Sequence, residues 1–478
     1  MLILPDVPRL AGAAAMLLAY AGLCAGILVR ARNNRRRALQ AAATLPILPI
    51  PGQQAPLLLA FASQSGFAEE LAERSATALR GAGQAVRLTP LADLALADLR
   101  SGSPALFVVS TCGEGDPPDN AATFVRRLLA EKTGQTTPLR GLTYGLLALG
   151  DREYRHFCGF GRNLDTWLQE AGATPLFERI EVNNGDATAL ERWRHALAHV
   201  AGYREASGDG ASSSETLSWL PPKYSPWRLA ERRHLNPGSQ GEAVFHLELC
   251  PPENDAAPSW ESGDLLQVAA PGIDGELLPP RDYSIASIPS DGRVHLLIRQ
   301  QRGPDGRLGA ASGWLSTGIA VGGCVMARLR PHRNFRLGDN IRRPLILIGN
   351  GTGMAGLRGH LRARRQAGAG PNWLLFGERN TACDYHYQEE IEDYRQTGLL
   401  QRLDLAFSRD QADKVYIQDH LRAAAADLHS WLAQGAALYV CGNAVGMAEA
   451  VHQTLAELIG VDALDRLMVE GRYRRDVY

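Results

Sequence analysis

Leu57-Leu58-Leu59-Ala60-Phe61 runs into the polar loop Ser63-Gln64-Ser65-Gly66-Phe67-Ala68, and a helical pattern follows from Glu69 to Arg80. Two later apolar runs, Ala105–Val109 and Tyr144–Leu149, likewise lead into a loop and a helix-like stretch. Strands alternating with helices predict a parallel, doubly wound sheet. In such sheets ligands bind at the carboxyl edge of the strands. Three Gly-bearing loops therefore converge there: Ser63–Ala68, Ser110-Thr111-Cys112-Gly113-Glu114-Gly115-Asp116 and Leu149-Gly150-Asp151-Arg152-Glu153-Tyr154. Hydroxyls and backbone N–H groups at a helix start suit a phosphate monoester. Taken alone, a Ser-rich loop is more often an ordinary helix cap.

Outward from this unit, 478 residues call for about three domains at roughly 150 residues each. Apolar residues make up 45% and charged residues 21%, an ordinary globular balance. The net charge of -1 gives no basic field for nucleic acid. Seven scattered cysteines with no C-x-x-C pair read as thiols, neither a disulfide frame nor a zinc site. Leu10 to Val29 carries no charge and is long enough to cross about 30 Å of hydrocarbon. Arg30, Arg32, Arg35, Arg36 and Arg37 follow, so residues 10–29 are expected to be a single-pass transmembrane helix after a short tail, 1–9, with everything beyond on the cytoplasmic side. A basic, Pro-rich tether over 30–55 leads to the first α/β unit, 56–203, and a small, polar linker over 204–225 follows it.

From 226 to 342 short alternating runs such as Val244–Leu249, Leu265–Ala269 and Val294–Arg299 lie between Gly/Pro turns, predicting an antiparallel β-barrel. Within it, Arg281-Asp282-Tyr283-Ser284 offers an Arg fork for a pyrophosphate and, two residues on, a Tyr on the same strand face that can cover a flat ring. Gly309-Ala310-Ala311-Ser312 can present N–H groups to phosphate downstream. From 343 to 478 strand–helix alternation returns. Leu345–Ile348 ends in Gly349-Asn350-Gly351-Thr352-Gly353, a turn that lets backbone approach a dinucleotide. Ser408, Arg409, Lys414 and Tyr416 supply the hydroxyls and cations that a 2′-phosphate needs.

These motifs resemble a known family. SQSG, STCGEGDPPDNA and LGDREYRHFCGFG are similar, in order and spacing, to the three FMN loops of flavodoxin. The resemblance implies a phosphate on Ser63, Gln64, Ser65, Gly66, Phe67 and Ala68. It implies an isoalloxazine held by Ser110, Thr111, Cys112 and Gly113, and by Leu149, Gly150, Asp151, Tyr154, Phe157 and Cys158, with Tyr154 stacking. The barrel resembles the FAD domain of ferredoxin–NADP reductases, which implies FAD on Arg281, Asp282, Tyr283 and Ser284, beside Leu297, Ile298 and Arg299, with Gly309, Ala310, Ala311 and Ser312 on its pyrophosphate. FSRDQADKVYIQDHL, LLFGERN, LYVCGNA and GRYRRDVY resemble the NADPH domain of the diflavin reductases. NADPH is then expected on Gly351, Thr352, Gly353, Ser408, Arg409, Lys414, Val415, Tyr416, Ile417, Gln418 and Cys441. Tyr478 is expected to stack on FAD, and Ser284, Cys441 and Asp476 match the family's hydride-transfer cluster, where orientation and electrostatics are the protein's share of the chemistry.

Several positions depart from the family pattern. Asn443 stands for an acidic residue, Asn350 and Gly356 for prolines, Ala450 for an aspartate, and Cys112 for an aromatic. The helical block that relatives insert before the R-x-Y-S strand is missing, which leaves the first domain on its linker and free to swing widely. The expectation is a membrane-anchored enzyme passing electrons from NADPH to FAD to FMN to a haem or iron protein. The alternatives are the flavoprotein subunit of an assimilatory sulfite reductase, or a flavin-binding redox sensor or scaffold. His195 and His199, one helical turn apart, lack a third ligand, so no metal is expected.

Overall fold

The computed structural model describes residues 56–100, 103–112, 115–126, 139–152, 155–202, 222–252, 259–272, 276–303 and 305–478. Three sheets organise these residues. In the first, β1 (Leu57–Ala62), β2 (Val86–Pro90), β3 (Ala105–Ser110), β4 (Thr143–Gly150) and β5 (Thr174–Pro175) run in the order β2-β1-β3-β4-β5, with β6 (Ile180–Asn183) also on β4. All pairings are parallel. Helices cover both faces, which is why β1 and β3 read as unbroken apolar runs. One core packs helices Phe67–Gly81 and Ala187–Val200 on one face and the other packs helix Gly159–Glu170 on the opposite face. The order reverses between β1 and β3, so their carboxyl ends open a crevice.

The second sheet is antiparallel: β7 (Ser225–His234), β8 (Val244–Cys250), β9 (Leu265–Ala269), β10 (Arg281–Ser284), β11 (Val294–Arg299) and β12 (Cys324–Arg330), in the order β10-β9-β12-β7-β8-β11. An isolated bridge, Ile285↔Leu296, links the two ends of this order. Strands β9 and β10 pair directly, Ser284 opposite Leu265, so a short connection does replace the helical block. The third sheet is parallel: β13 (Leu345–Asn350), β14 (Asn372–Glu378), β15 (Leu400–Phe407), β16 (Ala437–Gly442) and β17 (Tyr473–Val477), in the order β15-β14-β13-β16-β17. Its reversal lies between β13 and β16.

The second and third units each have a cluster of their own and share another between them. Val244, Ala286 and Leu297 pack with Phe335, Leu337, Leu357 and Tyr439 in a single buried cluster. The first unit keeps its own cores and meets the others through polar contacts. The wide swing expected of the first domain is therefore not the arrangement seen, in which it is docked.

No helix among the described residues is long and apolar enough to cross a membrane, and the expected span at 10–29, with its tail and tether, lies outside the described residues. The expected single-pass membrane localisation is therefore not upheld. Most of the linker expected at 204–225 also lies outside the described residues.

Candidate active site

At the first sheet's crevice, the loop after β1 is tied down by its neighbours. Ser63 N–H donates to Asn120 Oδ1 at 3.0 Å, Gln64 N–H to Ser110 Oγ at 3.2 Å, and Ala68 N–H to Ser63 Oγ at 3.1 Å. Gly66 takes a φ of 84° just before helix Phe67–Gly81, a left-handed turn that suits glycine. The second and third loops touch backbone to backbone, since a Cβ on Gly159 would lie 2.8 Å from the Gly115 Cα. Thr111 Oγ1 is buried between them without a protein partner, an orphan that a bound polar ligand would satisfy. Cys158 turns its thiol inward, donating to Ala148 O at 3.3 Å, and burial pushes that thiol up to about 12. Its side chain thus belongs to the core and only its backbone to the loop. Phe157 lies under the Arg152 and Arg162 guanidiniums. Gly113 and Tyr154 lie outside the described residues.

On β10, Arg281 is exposed and Tyr283 half-buried on the same strand face, while Ser284 is buried on the other, as alternation requires. That pair fits a flat ring with an attached pyrophosphate. Asp282 is committed elsewhere, paired with the buried Arg330 and accepting from Gln267 Nε2 at 3.0 Å. Ser312 Oγ accepts from Gln301 N–H at 3.1 Å, which fixes the loop Gly309–Ser312. Leu297 and Ile298 are buried, and Arg299 reaches across to pair with Glu378 on β14, beside Gly351.

The structure brings Ser284, Cys441 and Asp476 together from three distant stretches. Parallel register sets Cys441 beside Asp476, and Ser284 Oγ donates to Asp476 Oδ2 at 2.6 Å. Cys441 Sγ lies 3.6 Å from the same oxygen. Burial, then the Asp476 charge, pushes the Cys441 thiol well above the ordinary cysteine range, so it stays protonated. The glycine turn packs against this cluster: a Cβ on Gly353 would meet Cys441 O at 2.0 Å. A Cβ on Gly356 would meet Phe335 Cε1 at 3.0 Å and Cys441 Sγ at 3.2 Å, so little room is left for the proline expected there. Two further departures are joined to each other, Asn443 N–H donating to Asn350 Oδ1 at 3.1 Å. Tyr478 sits over this edge, its hydroxyl 3.2 Å from Thr352 Oγ1 and its N–H on Gly442 O.

Beside the cluster opens a cavity of about 430 Å³ lined by Arg299, Glu378, Arg379, Ser408, Tyr416 and Gln418, among others. Its size is that of a small-molecule site. Ser408, Tyr416, Ile417 and Gln418 line it, whereas Arg409 and Lys414 are not among its walls. Arg379, which lies in the LLFGERN stretch, lines the cavity together with Arg299 and was not among the expected site residues. Elsewhere His246, Glu248 and His295 form a compact trio, but Arg358 Nη1 donates to His295 Nδ1 at 3.1 Å and Arg293 pairs with Glu248. That hydrogen bond keeps the imidazole proton on Nε2, so the trio is a hydrogen-bonded set between two cations.

Residues 59–195 match the flavodoxin family and residues 347–453 the oxidoreductase NAD-binding domain family. A flavodoxin unit joined through an antiparallel sheet to a nicotinamide unit defines a diflavin reductase, and the chain belongs to that family, with FMN, FAD and NADPH as its cofactors. It is 31% identical to the sulfite reductase (NADPH) flavoprotein alpha-component of Vibrio parahaemolyticus, over 88% of this chain and 86% of that protein. The components of Vibrio vulnificus and Aliivibrio fischeri are each 30% identical, over 88% of this chain and 87% and 89% of their own lengths. The alignment to the first spans 542 positions, more than this chain's 478, so that relative carries segments missing here.

Proposed function

We propose that this NADPH-dependent oxidoreductase passes electrons to a haem-bearing protein, serving as the flavoprotein component of a sulfite-reducing or similar assembly. The relatives named as sulfite reductase flavoprotein components favour this over a membrane-bound haemoprotein reductase. When bound, NADPH supplies hydride to FAD, and FMN releases electrons singly. The chain divides at 56–203, 226–342 and 343–478. Ser63–Ala68 hold the FMN phosphate, and Ser110–Cys112 with Leu149–Asp151 flank its ring. Arg281 and Tyr283 hold FAD, with Gly309–Ser312 at its pyrophosphate. Gly351–Gly353 carry the nicotinamide dinucleotide, and Arg379, Ser408 and Tyr416 surround its 2′-phosphate.

The observation that carries the proposal is the Ser284–Asp476–Cys441 cluster at the reversal between β13 and β16. There the carboxylate orients the serine hydroxyl and favours positive charge as it develops on the nicotinamide ring. Tyr478 covers the same edge and must move for the ring to enter. The test is to purify the full chain, quantify its flavins, and compare NADPH with NADH as reductant of cytochrome c. One FMN and one FAD per chain with a strong NADPH preference is expected. A single flavin, or NADH used equally well, would overturn the proposal. Electron delivery to a sulfite-reducing haemoprotein subunit, ahead of cytochrome c, would confirm the acceptor class.

A further inference from the structure

His332 stands just beyond β12, fully buried between the first domain and the nicotinamide unit. Its Nε2 lies 2.9 Å from the backbone oxygen of Gln64, in the loop after β1. Its Nδ1 has no hydrogen-bond partner and lies 3.8 Å from Asp476 Oδ1, whose second oxygen accepts from Ser284. One side chain therefore bridges the proposed FMN phosphate loop and the proposed hydride-transfer cluster.

The chemistry of the two ends is unequal. A carbonyl oxygen only accepts, so Nε2 must carry a proton whenever the first domain is docked. A neutral imidazole then leaves Nδ1 as a bare lone pair, and an ionised Asp476 turns lone pairs toward it. Two acceptors facing each other in a buried site are unfavourable, and one added proton, on either partner, removes the conflict. Once Gln64 withdraws, Nε2 meets water. The imidazole can then hold its single proton on Nδ1, facing the carboxylate, and the added proton returns to solvent.

We propose that His332 is a positioning residue that couples the protonation of Asp476 to docking of the first domain: docking takes up one proton and undocking releases it. The docked pair is neutral overall, whereas the undocked pair carries one negative charge. Resting on the nicotinamide assignment above, that charge favours the positive ring of the oxidised nicotinamide when the domains are apart and weakens its hold when they are together. Other groups face His332 without supplying the proton. Asp264 accepts from the backbone N–H of His332 at 2.9 Å and is held by Arg336, and Arg330 is paired with Asp282. Beyond the stacked Phe335 ring, burial and then Arg474 push His360 down to about 3, which keeps it neutral. From the first domain, Asp119 is taken by Arg475 and Gln64. Cys441 stays protonated.

Because the docked state binds the extra proton, docking strengthens as pH falls, by up to about tenfold per pH unit where one proton is exchanged. The experiment is small-angle X-ray scattering of the flavin-loaded full chain at pH 6 and pH 8.5 and constant ionic strength. The wild type should open as pH rises. His332→Gln, which can still donate to Gln64 O but does not titrate, should show no pH dependence. A wild-type docking equilibrium equal at both pH values, or an unchanged slope in His332→Gln, would overturn the proposal. If His332→Gln fails to fold by circular dichroism, Asp476→Asn serves in its place, and retention of the wild-type slope there is equally fatal. Flavin reduction by NADPH is followed in the same wild-type samples. Reduction without a pH-dependent opening counts against the proton coupling alone, and opening without reduction counts against the nicotinamide assignment alone.

Discussion

The two seams of this molecule are built from opposite materials. Between the antiparallel sheet and the C-terminal sheet, Val244, Ala286, Leu297, Phe335 and Leu357 form one apolar core with no boundary in it. Between the first domain and the rest, the contacts are ionic and polar: Arg328 with Glu70, Arg333 with Glu69 and Glu73, Arg475 with Asp119, and Arg330 with Ser65. Apolar burial at about 25 cal/mol per Å² accumulates into permanence. The more exposed of these pairs, such as Arg333 with Glu73, contribute up to about 1 kcal/mol each and are screened by salt. The first seam thus makes two sheets behave as one body, and the second can be left and rejoined. Electron relay to an outside acceptor requires this division, because the group that delivers electrons must leave the group that receives hydride.

The largest expected effect comes from breaking the apolar seam. Phe335 is fully buried, stacks on His332 and meets the edge of Tyr439. Phe335→Ala should cost about 3–5 kcal/mol and lower the unfolding midpoint of the FAD and NADPH units together. The first domain, with its separate cores, should keep its own midpoint. Calorimetry with flavin fluorescence distinguishes these transitions, and separate loss of the FAD and NADPH units would show that the seam is not one core.

Asp119→Ala should do less, and only to docking. Arg475 Nε reaches both Asp119 oxygens at 2.9 Å, and Gln64 Nε2 adds a third contact at 3.0 Å. Burial alone would raise the Asp119 carboxyl, but Arg475 outweighs it and the net displacement is downward. Its stabilisation of the docked state is therefore present above the ordinary carboxylate range, near 4, and lost as pH falls through the lower docked value. This acid weakening opposes in sign the effect assigned to His332. Removing the carboxylate strands a nearly buried Arg475, at a cost of about 3 kcal/mol. Scattering at pH 7 should show Asp119→Ala open where the wild type is closed, with an unchanged unfolding midpoint for the C-terminal body.

This contrast also marks what the sequence can and cannot convey. Strands β1, β3 and β13 were legible because burial on both faces demands continuous apolar runs, and Ser63–Ala68 and Gly349–Gly353 because glycine and hydroxyls punctuate them. Ser284, Cys441 and Asp476 were found only through family resemblance, since their meeting depends on strand order and register. Nothing local marks His332 or Arg330: a buried polar side chain has its partners hundreds of positions away, as Gln64 and His332 do. Arg409 and Lys414 suit a 2′-phosphate by type, whereas the arginines that line the cavity, Arg299 and Arg379, come from the ends of separate strands whose meeting composition does not encode. The expected free swing came from a short connection and a flexible linker. Those describe what permits motion, while charges from distant strands decide where the motion rests.

The smallest expected effect gives the sharpest comparison of the seams. Arg333 is half-exposed and holds Glu69 at 2.7 Å and Glu73 at 2.6 Å, both on helix Phe67–Gly81. Each pair is worth under about 1 kcal/mol at physiological salt, so Arg333→Ala should shift docking only several-fold. Arg333→Glu adds repulsion and should shift it further, with no change in thermal stability. The discriminating variable is ionic strength. Raising salt from about 0.02 to 0.5 M shortens the screening length severalfold, so wild-type docking should weaken while Arg333→Glu should be relieved of its repulsion. The two docking curves should converge as salt rises. Convergence would identify the first-domain seam as electrostatic, whereas parallel curves would mean that its polar contacts are held by shape and that the two seams differ less than their composition implies.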